Sequence, residues 1–152
     1  MKRELHLIAN DIRSLENVGA LFRTCDSLGV AKLWLAGYTA APPDPRLSKV
    51  ALGAELAVPF EHYSDITELF RKLKEQEIPV FALEITQDAV DLSKFAPPDR
   101  LAILLGTETT GIPPSLIEKC AGTIKIGQQG IKESLNVAVA AGIAAWAVLN
   151  YR

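Results

Sequence analysis

Three short polar segments contain the side chains of this sequence that could do chemistry. They read "ENVGALFRT" at residues 16–24, "LLGTETTGIPP" at 104–114 and "IKIGQQGIKESLN" at 124–136. Between them they supply amides, hydroxyls, carboxylates and a guanidinium group. Each segment alone is compatible with an ordinary surface loop. Their meaning therefore depends on whether the fold brings them together.

The first two segments each allow a plain and a functional interpretation. Asn17 precedes an apolar helical stripe, where a helix N-cap is expected. Arg23 lies off that stripe, so it is either solvated or available to bind phosphate, which suits a planar guanidinium. Glu108 is either a solvated loop acid or a site residue. Its neighbours Gly106 and Gly111 favour a close approach of the backbone to another group.

The third segment opens a very apolar helix with a polar cluster. Ser134 is a candidate N-cap, and Glu133 beside a helix start complements the helix dipole. Asn136 is harder to explain, because the predicted first turn of a helix is a place where Asn is neither a good helix former nor an obvious cap.

Alternating and periodic apolar residues predict the elements that must position these segments. Val18, Leu21, Phe22, Cys25 and Leu28 form one face of a helix that should end at Gly29. A second helix should begin after Asp65, a third at Pro113 running to about Cys120, and a last one near Ser134. Strands are predicted at 4–9, 31–37, 79–84, 100–106 and 123–126. The Pro-rich stretch 38–49 is predicted as loop, followed by a short helix and strand.

The alternation of strands and helices predicts an α/β fold, with a mostly parallel sheet and helices on both faces. The 152 residues suit a single domain over 1–152. In such a sheet, ligands bind beyond the carboxyl ends of the strands. All three polar segments follow predicted strands, so we expect them at one edge.

Composition excludes several classes of protein. A net charge of −2 gives no global attraction to nucleic acid, although a local basic patch remains possible.

Cys25 and Cys120 lack metal-ligand spacing and are expected to be buried free thiols. His6 and His62 are expected to be structural or surface residues. No metal site, signal peptide or membrane span is predicted, so a cytoplasmic location is expected. Dinucleotide, P-loop and hydrolase-elbow motifs are absent.

The three segments, in this order, resemble the SpoU/TrmH family of the SPOUT superfamily, which are S-adenosylmethionine-dependent RNA 2′-O-ribose methyltransferases. The matching stretches are "NVGALFRT", "LLGTETTGIP" and "IKIGQQGIKESLNVAVAAGI". The resemblance implies a SPOUT fold with a C-terminal trefoil knot, S-adenosylmethionine as cofactor, a homodimer, and RNA rather than DNA or a membrane as partner. Short relatives of this build favour tRNA over rRNA.

The resemblance also implies roles for particular residues. The family's catalytic positions fall on Asn17, Arg23, Glu108, Ser134 and Asn136. The cofactor is expected at Leu83, Gly106, Ile126, Ser134 and Leu135, mainly through their backbones. Gly127 and Gln128 stand where family members usually have Pro-Met.

The resemblance further implies that Arg23 contacts the ribose hydroxyl. A guanidinium with a pKa above about 12 is a poor base, so we favour Arg23 fixing the hydroxyl and a phosphate by charge-assisted bonds. Without an added RNA-binding domain, RNA should be held by this domain and its dimer mate. The candidate phosphate contacts are Arg13, Arg23, Arg46, Lys49 and Lys132. Two other classes remain open, a non-catalytic RNA-binding scaffold and an α/β protein for a small nucleotide-like ligand.

Overall fold

The computed structural model describes residues 2–131 and 135–152. Its described part contains one seven-stranded sheet in the order β3-β2-β1-β6-β4-β7-β5, and every neighbouring pair is parallel. This confirms the predicted parallel α/β sheet. The strands are β1 Glu4–Asn10, β2 Lys32–Ala36, β3 Phe60–Tyr63, β4 Val80–Leu83, β5 Val90–Asp91, β6 Arg100–Leu105 and β7 Gly122–Lys125.

Helices cover both faces of the sheet, as predicted. Leu5 and Leu7 of β1 point into a core shared with the first, second and last helices, whereas Ile8 points into a core shared with the other two. This alternation follows from the two-residue period of a strand. The helices are α1 Leu15–Leu28, α2 Pro45–Ala51, α3 Ile66–Glu75, α4 Pro114–Ile117 and α5 Val137–Leu149, with short 3₁₀ turns at Ala54–Leu56 and Leu92–Lys94.

The start of α1 corrects one prediction. Ser14, not Asn17, is the N-cap, and its hydroxyl accepts the backbone N–H of Asn17 at 3.1 Å. Both residue types can cap a helix, and the earlier one closes the first turn. The side chain of Asn17 is therefore left for other partners. The predicted end at Gly29 is confirmed, because Gly29 adopts a left-handed conformation with φ 74°.

Other boundaries differ from the predictions for similar local reasons. The stretch 38–49 is only partly loop, because α2 begins at Pro45 behind the N-cap Asp44, which accepts the Arg46 N–H at 2.9 Å. Proline suits this position since a first-turn N–H has no helical partner. Pro113 is an N-cap rather than a first helical residue, and α4 ends at Ile117. The two-residue strand β5 was not predicted.

The two free thiols and the apolar helices were also predicted from the sequence, and one thiol differs from its prediction. Cys25 is buried, and burial raises its pKa to about 12, whereas Cys120 is only half-buried with a pKa raised to about 11. The thiol of Cys120 is thus less enclosed than expected. Within residues 2–131 and 135–152, none of the helices has both the length and the hydropathy to cross a bilayer.

His6 is a buried structural histidine. The indole N–H of Trp34 donates to its Nδ1 at 3.0 Å, so Nδ1 is unprotonated, and Nε2 lies 2.8 Å from the Glu4 carboxylate, to which it donates. Burial lowers the pKa of His6, outweighing the opposing effect of Glu4. Burial in the folded protein therefore favours the neutral form of this imidazole.

We expect His6 to make the fold acid-sensitive. A histidine whose pKa is lower in the folded than in the unfolded state contributes stability above its unfolded pKa of about 6.5, and that stability falls as the pH drops. Chemical denaturation between about pH 8 and 5 should show this loss. His6→Gln should flatten the slope of stability against pH. Equal slopes in the wild type and His6→Gln would contradict the assignment.

Candidate active site

Three neighbouring strands end where the predicted cofactor residues lie. In the sheet, β4 lies between β6 and β7. Leu83 is the last residue of β4, Gly106 follows β6 directly, and Ile126 follows β7. Parallel strands bring their carboxyl ends to one edge, so these three backbones stand side by side. These residues are far apart in the sequence, so only the order of the strands in the sheet brings them together.

The loop after β6 folds back on itself. The backbone N–H of Gly111 donates to the Thr107 carbonyl at 3.0 Å, and the hydroxyls of Thr107 and Thr110 lie 2.7 Å apart. A side chain on Gly106 would come within 2.6 Å of the Gly111 backbone and of Ile112. The close approach that the glycine pattern predicted is thus made by the loop's own backbone. This turn presents Glu108 at its exposed tip.

Glu84 holds this loop against the end of β4. One of its carboxylate oxygens accepts the backbone N–H of Ile112 at 2.9 Å, and the other accepts that of Ile85 at 3.1 Å. Gly111, with φ 68°, leaves room for the carboxylate, because a side chain there would collide with it. Sequence reasoning missed Glu84. The available signal was an acidic residue at the end of the predicted strand 79–84, at the edge expected to bind ligand.

Asn17, Glu108 and Asn136 come together in one hydrogen-bonded chain. The Asn17 amide Nδ2 donates to Glu108 Oε1 at 2.6 Å, and Asn136 Nδ2 donates to Asn17 Oδ1 at 3.1 Å. The three residues belong to α1, the loop after β6 and the start of α5. Each of the three polar segments therefore contributes one member.

The assignment of donors and acceptors in this hydrogen-bonded series is fixed by the groups at its two ends. Asn136 is the N-cap of α5, and its Oδ1 accepts the N–H groups of Ala138 and Val139 at 2.9 and 3.1 Å. Its Nδ2 must then face Asn17, whose own Nδ2 must face the carboxylate of Glu108, which only accepts. This corrects the expectation that Asn136 is no obvious cap. It has both roles, because its oxygen caps α5 while its nitrogen holds Asn17.

Within a single copy of the protein, Arg23 is not part of the hydrogen-bonded group of Asn17, Glu108 and Asn136. It lies six residues after Asn17 on α1, or about 9 Å along the helix axis. Its side chain is exposed and forms no ion pair with the other residues that the structure describes. Its charge is therefore open to a ligand from solvent.

The other predicted site residues are distributed as follows. Leu83 and Ile126 are half-buried, and Leu135 is exposed. Ser134 and Lys132 lie outside the described residues. Of the proposed phosphate contacts, Arg46 pairs with Asp44 at 3.1 Å, Lys49 is exposed, and the Arg13 guanidinium lies over the Tyr38 ring.

An open cavity of about 1230 Å³ adjoins the hydrogen-bonded chain. Asn17 and Asn136 line one part of it, and Ile126, Gly127 and Gln128 line another. Its remaining wall includes apolar side chains of α5. The cavity is large enough for a cofactor-sized molecule.

Comparison with known proteins identifies the family of this arrangement. The profile of the SpoU rRNA Methylase family matches residues 4–146, which include all three polar segments. The chain belongs to the SpoU rRNA Methylase family. The predicted resemblance is thereby confirmed.

Individual members of the SpoU family cover this chain almost completely. A tRNA (guanosine(18)-2′-O)-methyltransferase of Thermus thermophilus is 30% identical over 92% of the chain and 71% of its own length. The AdoMet-bound rRNA methyltransferase of Sinorhizobium meliloti has a TM-score of 0.87 at 25% identity. The match covers 97% of this chain and 56% of the Sinorhizobium chain, so this chain spans little more than half of that relative.

A second solved structure is similar in size to this chain. It is described as giving structural insights into the 2-OH methylation of C/U34 on tRNA. It superposes with a TM-score of 0.86 at 26% identity, and the match covers 96% of this chain and 94% of the other. The two chains thus share nearly the whole of one architecture.

Proposed function

We propose that this protein transfers a methyl group from S-adenosylmethionine to a ribose 2′-hydroxyl of RNA. The observation that carries the proposal is the hydrogen-bonded chain from Asn136 through Asn17 to Glu108. It unites three distant segments of a SpoU family member at the ligand-binding edge of the sheet. A scaffold that only kept the fold has no need of this polar group.

The residues at the sheet edge fit the proposed cofactor. The backbone groups at Leu83, Gly106 and Ile126 line the ends of three adjacent strands, where they can pair with the polar edge of an adenine. The half-buried side chains of Leu83 and Ile126 offer apolar contact to a flat ring. Ile126 lines the cavity together with Gly127 and Gln128, whereas Leu83 and Gly106 lie outside its lining. Ser134 and Leu135 complete the proposed cofactor set.

The chemistry required of the protein follows from the weakness of the nucleophile. When bound, S-adenosylmethionine supplies an activated methyl group on a sulfonium centre, which the ribose oxygen attacks in line. A neutral hydroxyl must be oriented and must lose its proton. Glu108 Oε2 forms no hydrogen bond with the other described residues, so it is available to accept from the ribose. Asn17 and Asn136 hold that carboxylate in place.

Arg23 is assigned to the RNA backbone in this proposal. Its exposed guanidinium can bind a phosphate and the hydroxyl together by charge-assisted bonds. It lies beside the cavity wall, one turn after Ala20, which lines the cavity. Ser134 is proposed to act with these residues at the ribose.

We favour tRNA as the substrate. A relative is named as a tRNA methyltransferase, and a solved structure of which this chain covers 94% concerns methylation of C/U34 on tRNA. The rRNA enzyme of Sinorhizobium, of which this chain covers 56%, favours rRNA as the alternative. The methyl-transfer assay described below is also the test that bears on the target nucleotide.

Three further features belong to the proposal. Residues 1–152 form one methyltransferase domain, supported by the single sheet to which the described helices pack. The C-terminal part forms a trefoil knot, which would shorten the fully extended chain in single-molecule stretching. The protein works in the cytoplasm, which cell fractionation with an RNA substrate assay would check.

A methyl-transfer assay tests the function directly. Purified protein and radiolabelled S-adenosylmethionine are incubated separately with total tRNA and with rRNA from cells lacking the gene. Label at an alkali-resistant linkage in one pool is the expected result and identifies the substrate class. Absence of both label and cofactor binding would reject the enzyme. Cofactor binding without label in either RNA would reject these two substrate pools.

Removing the Glu84 carboxylate should weaken cofactor binding and slow methyl transfer. In Glu84→Ala the Ile112 N–H loses its partner, at a cost of about 1–3 kcal/mol, and the loop carrying Glu108 is released. Glu84→Gln keeps one acceptor and should lie between the two. Calorimetry with S-adenosylmethionine and the transfer rate measure the effects. Glu118→Ala, at an exposed acid on the surface, is the matched control, and a Glu84→Ala protein that resembles it would contradict the assigned role.

A further inference from the structure

An exposed aromatic ring lies under a guanidinium group at the carboxyl ends of β1 and β2. Tyr38 exposes 75% of its surface. The guanidinium carbon of Arg13 lies 5.0 Å from the centre of its ring. The hydrophobic cores formed by residues 2–131 and 135–152 do not include Tyr38. Its position is therefore not explained by packing.

The backbone beneath this pair is held rigidly. The Tyr38 N–H donates to the Asp11 carboxylate at 2.9 Å, and the Ile12 N–H donates to the hydroxyl of buried Thr39 at 3.0 Å. That hydroxyl donates in turn to the carbonyl of Ala9 or Ala36. Asp11 adopts the uncommon left-handed conformation with φ 55°. Two loops are thus tied together, so little ordering is required when a ligand binds.

The pair is close to the proposed active site. Arg13 lies four residues before Asn17, and four residues span at most about 14 Å. Both follow β1, at the same edge of the sheet as Glu108. An RNA whose ribose reaches Glu108 can thus place a neighbouring nucleotide at Tyr38.

We propose that Tyr38 and Arg13 form a binding surface for an unpaired nucleobase of the RNA substrate. The inference rests on the proposed function and deepens it. The base stacks on the open face of the Tyr38 ring, since every base has a π-face that an aromatic side chain can cover. The Arg13 guanidinium, on the same ring, binds the adjacent phosphate.

The two residues should differ in their salt dependence. Tyr38→Ala should weaken binding of total tRNA by about tenfold, with the slope of log affinity against log salt unchanged, because stacking releases no counterions. Arg13→Ala should reduce that slope by about one. Tyr38→Phe keeps the ring and should bind as the wild type does. A blunt RNA duplex offers no unpaired base along its length, so its binding should not respond to Tyr38→Ala.

The chain contains a matched control at the opposite edge of the sheet. There Arg3, just before β1, lies 5.4 Å over the ring of Tyr151. Arg3 also donates to the carbonyls of Val148 and Tyr151 at 3.0 and 3.2 Å, which explains that pair as structural. Tyr151→Ala should therefore leave tRNA affinity unchanged.

Fluorescence anisotropy with labelled total tRNA measures these affinities, and calorimetry with S-adenosylmethionine checks cofactor binding in each variant. Photocrosslinking of 5-iodouridine-containing RNA should modify Tyr38 in the tryptic peptide 33–46. A wild type that methylates tRNA, with Tyr38→Ala equal to it in affinity and KM, would overturn the stacking surface alone. A wild type that binds cofactor but no RNA would overturn both this inference and the proposed function.

Discussion

Replacing Arg23 by Ala should lower the rate of methyl transfer to RNA by about a hundredfold or more, the usual cost of losing one preorganised donor in an active site. Affinity for S-adenosylmethionine should not change. The reason is the position of the side chain. Arg23 is exposed on α1, forms no ion pair among the described residues, and lies about 9 Å along the helix from Asn17. It can therefore contact RNA without supporting the cofactor loops.

Arg23→Lys separates charge from geometry. Lys keeps the positive charge but lacks the planar fork that binds a phosphate and a hydroxyl together. Activity between those of the wild type and Arg23→Ala would favour orientation by charge-assisted bonds. Arg71→Ala, at an exposed Arg of α3, is the control for a general loss of positive charge. Wild-type turnover in Arg23→Ala at saturating RNA would contradict the assigned role.

The strands could be predicted because their residues carry the information locally. The run from Leu101 to Leu105 is wholly apolar, and all five residues are buried, as expected for a strand covered on both faces. The short strand β5 has only Val90 and Asp91 and no apolar run to reveal it. Its pairing with β7 depends on the sheet around it.

Helix starts were less predictable, because several polar residues compete for one cap. Ser14 and Asn17 are both good N-caps, and the sequence does not say which closes the first turn of α1. At α5 the same ambiguity involves Ser134 and Asn136, and Asn136 is the cap. Both misassignments concern residues that belong to the candidate site.

The geometry of the candidate site could not be predicted from the local sequence, because it depends on tertiary contacts. The bond between Asn17 and Glu108 joins residues 91 positions apart, and the bond between Asn136 and Asn17 joins residues 119 positions apart. The resemblance to a family selected these three residues. Their geometry depends on the sheet order β1-β6-β4-β7, because α1 follows β1, the loop with Glu108 follows β6 and α5 follows β7. The acidic residue at the end of a predicted strand was the one signal for Glu84, but it does not identify the contact, since the partner of Glu84 is a backbone N–H of a distant loop.

We propose that this protein is a homodimer, and replacing Ile143 by Asp should convert it into monomers, which is the second large effect we expect. Val139, Ile143 and Trp146 form an apolar face of α5 and are 51%, 42% and 60% exposed. The opposite side of the same helix is buried in the core. A helix that is apolar all round belongs in an interior. We propose that a second copy of this chain covers the exposed face.

Symmetry makes the Ile143 substitution severe. A twofold dimer uses the same patch on both subunits, so one substitution places two carboxylates in the interface. Desolvating unpaired charges costs several kcal/mol, which corresponds to a dimer dissociation constant raised by about a hundredfold or more. Sedimentation analysis measures it. Leu56→Asp, at a 90% exposed apolar residue outside this face, is the matched control and should remain dimeric.

Tryptophan fluorescence gives an independent test of the same interface. Trp34 is buried, so dilution of the wild type should shift only the emission of Trp146 towards the red as the dimer separates. A wild type that sediments as a monomer at micromolar concentration would contradict the dimer. This face is itself one wall of the cavity, which Ala20 and Thr24 of α1, next to Arg23, also line. Monomeric Ile143→Asp that binds cofactor but no longer methylates RNA would therefore indicate that the second subunit completes the RNA site, whereas an active monomer would separate catalysis from assembly.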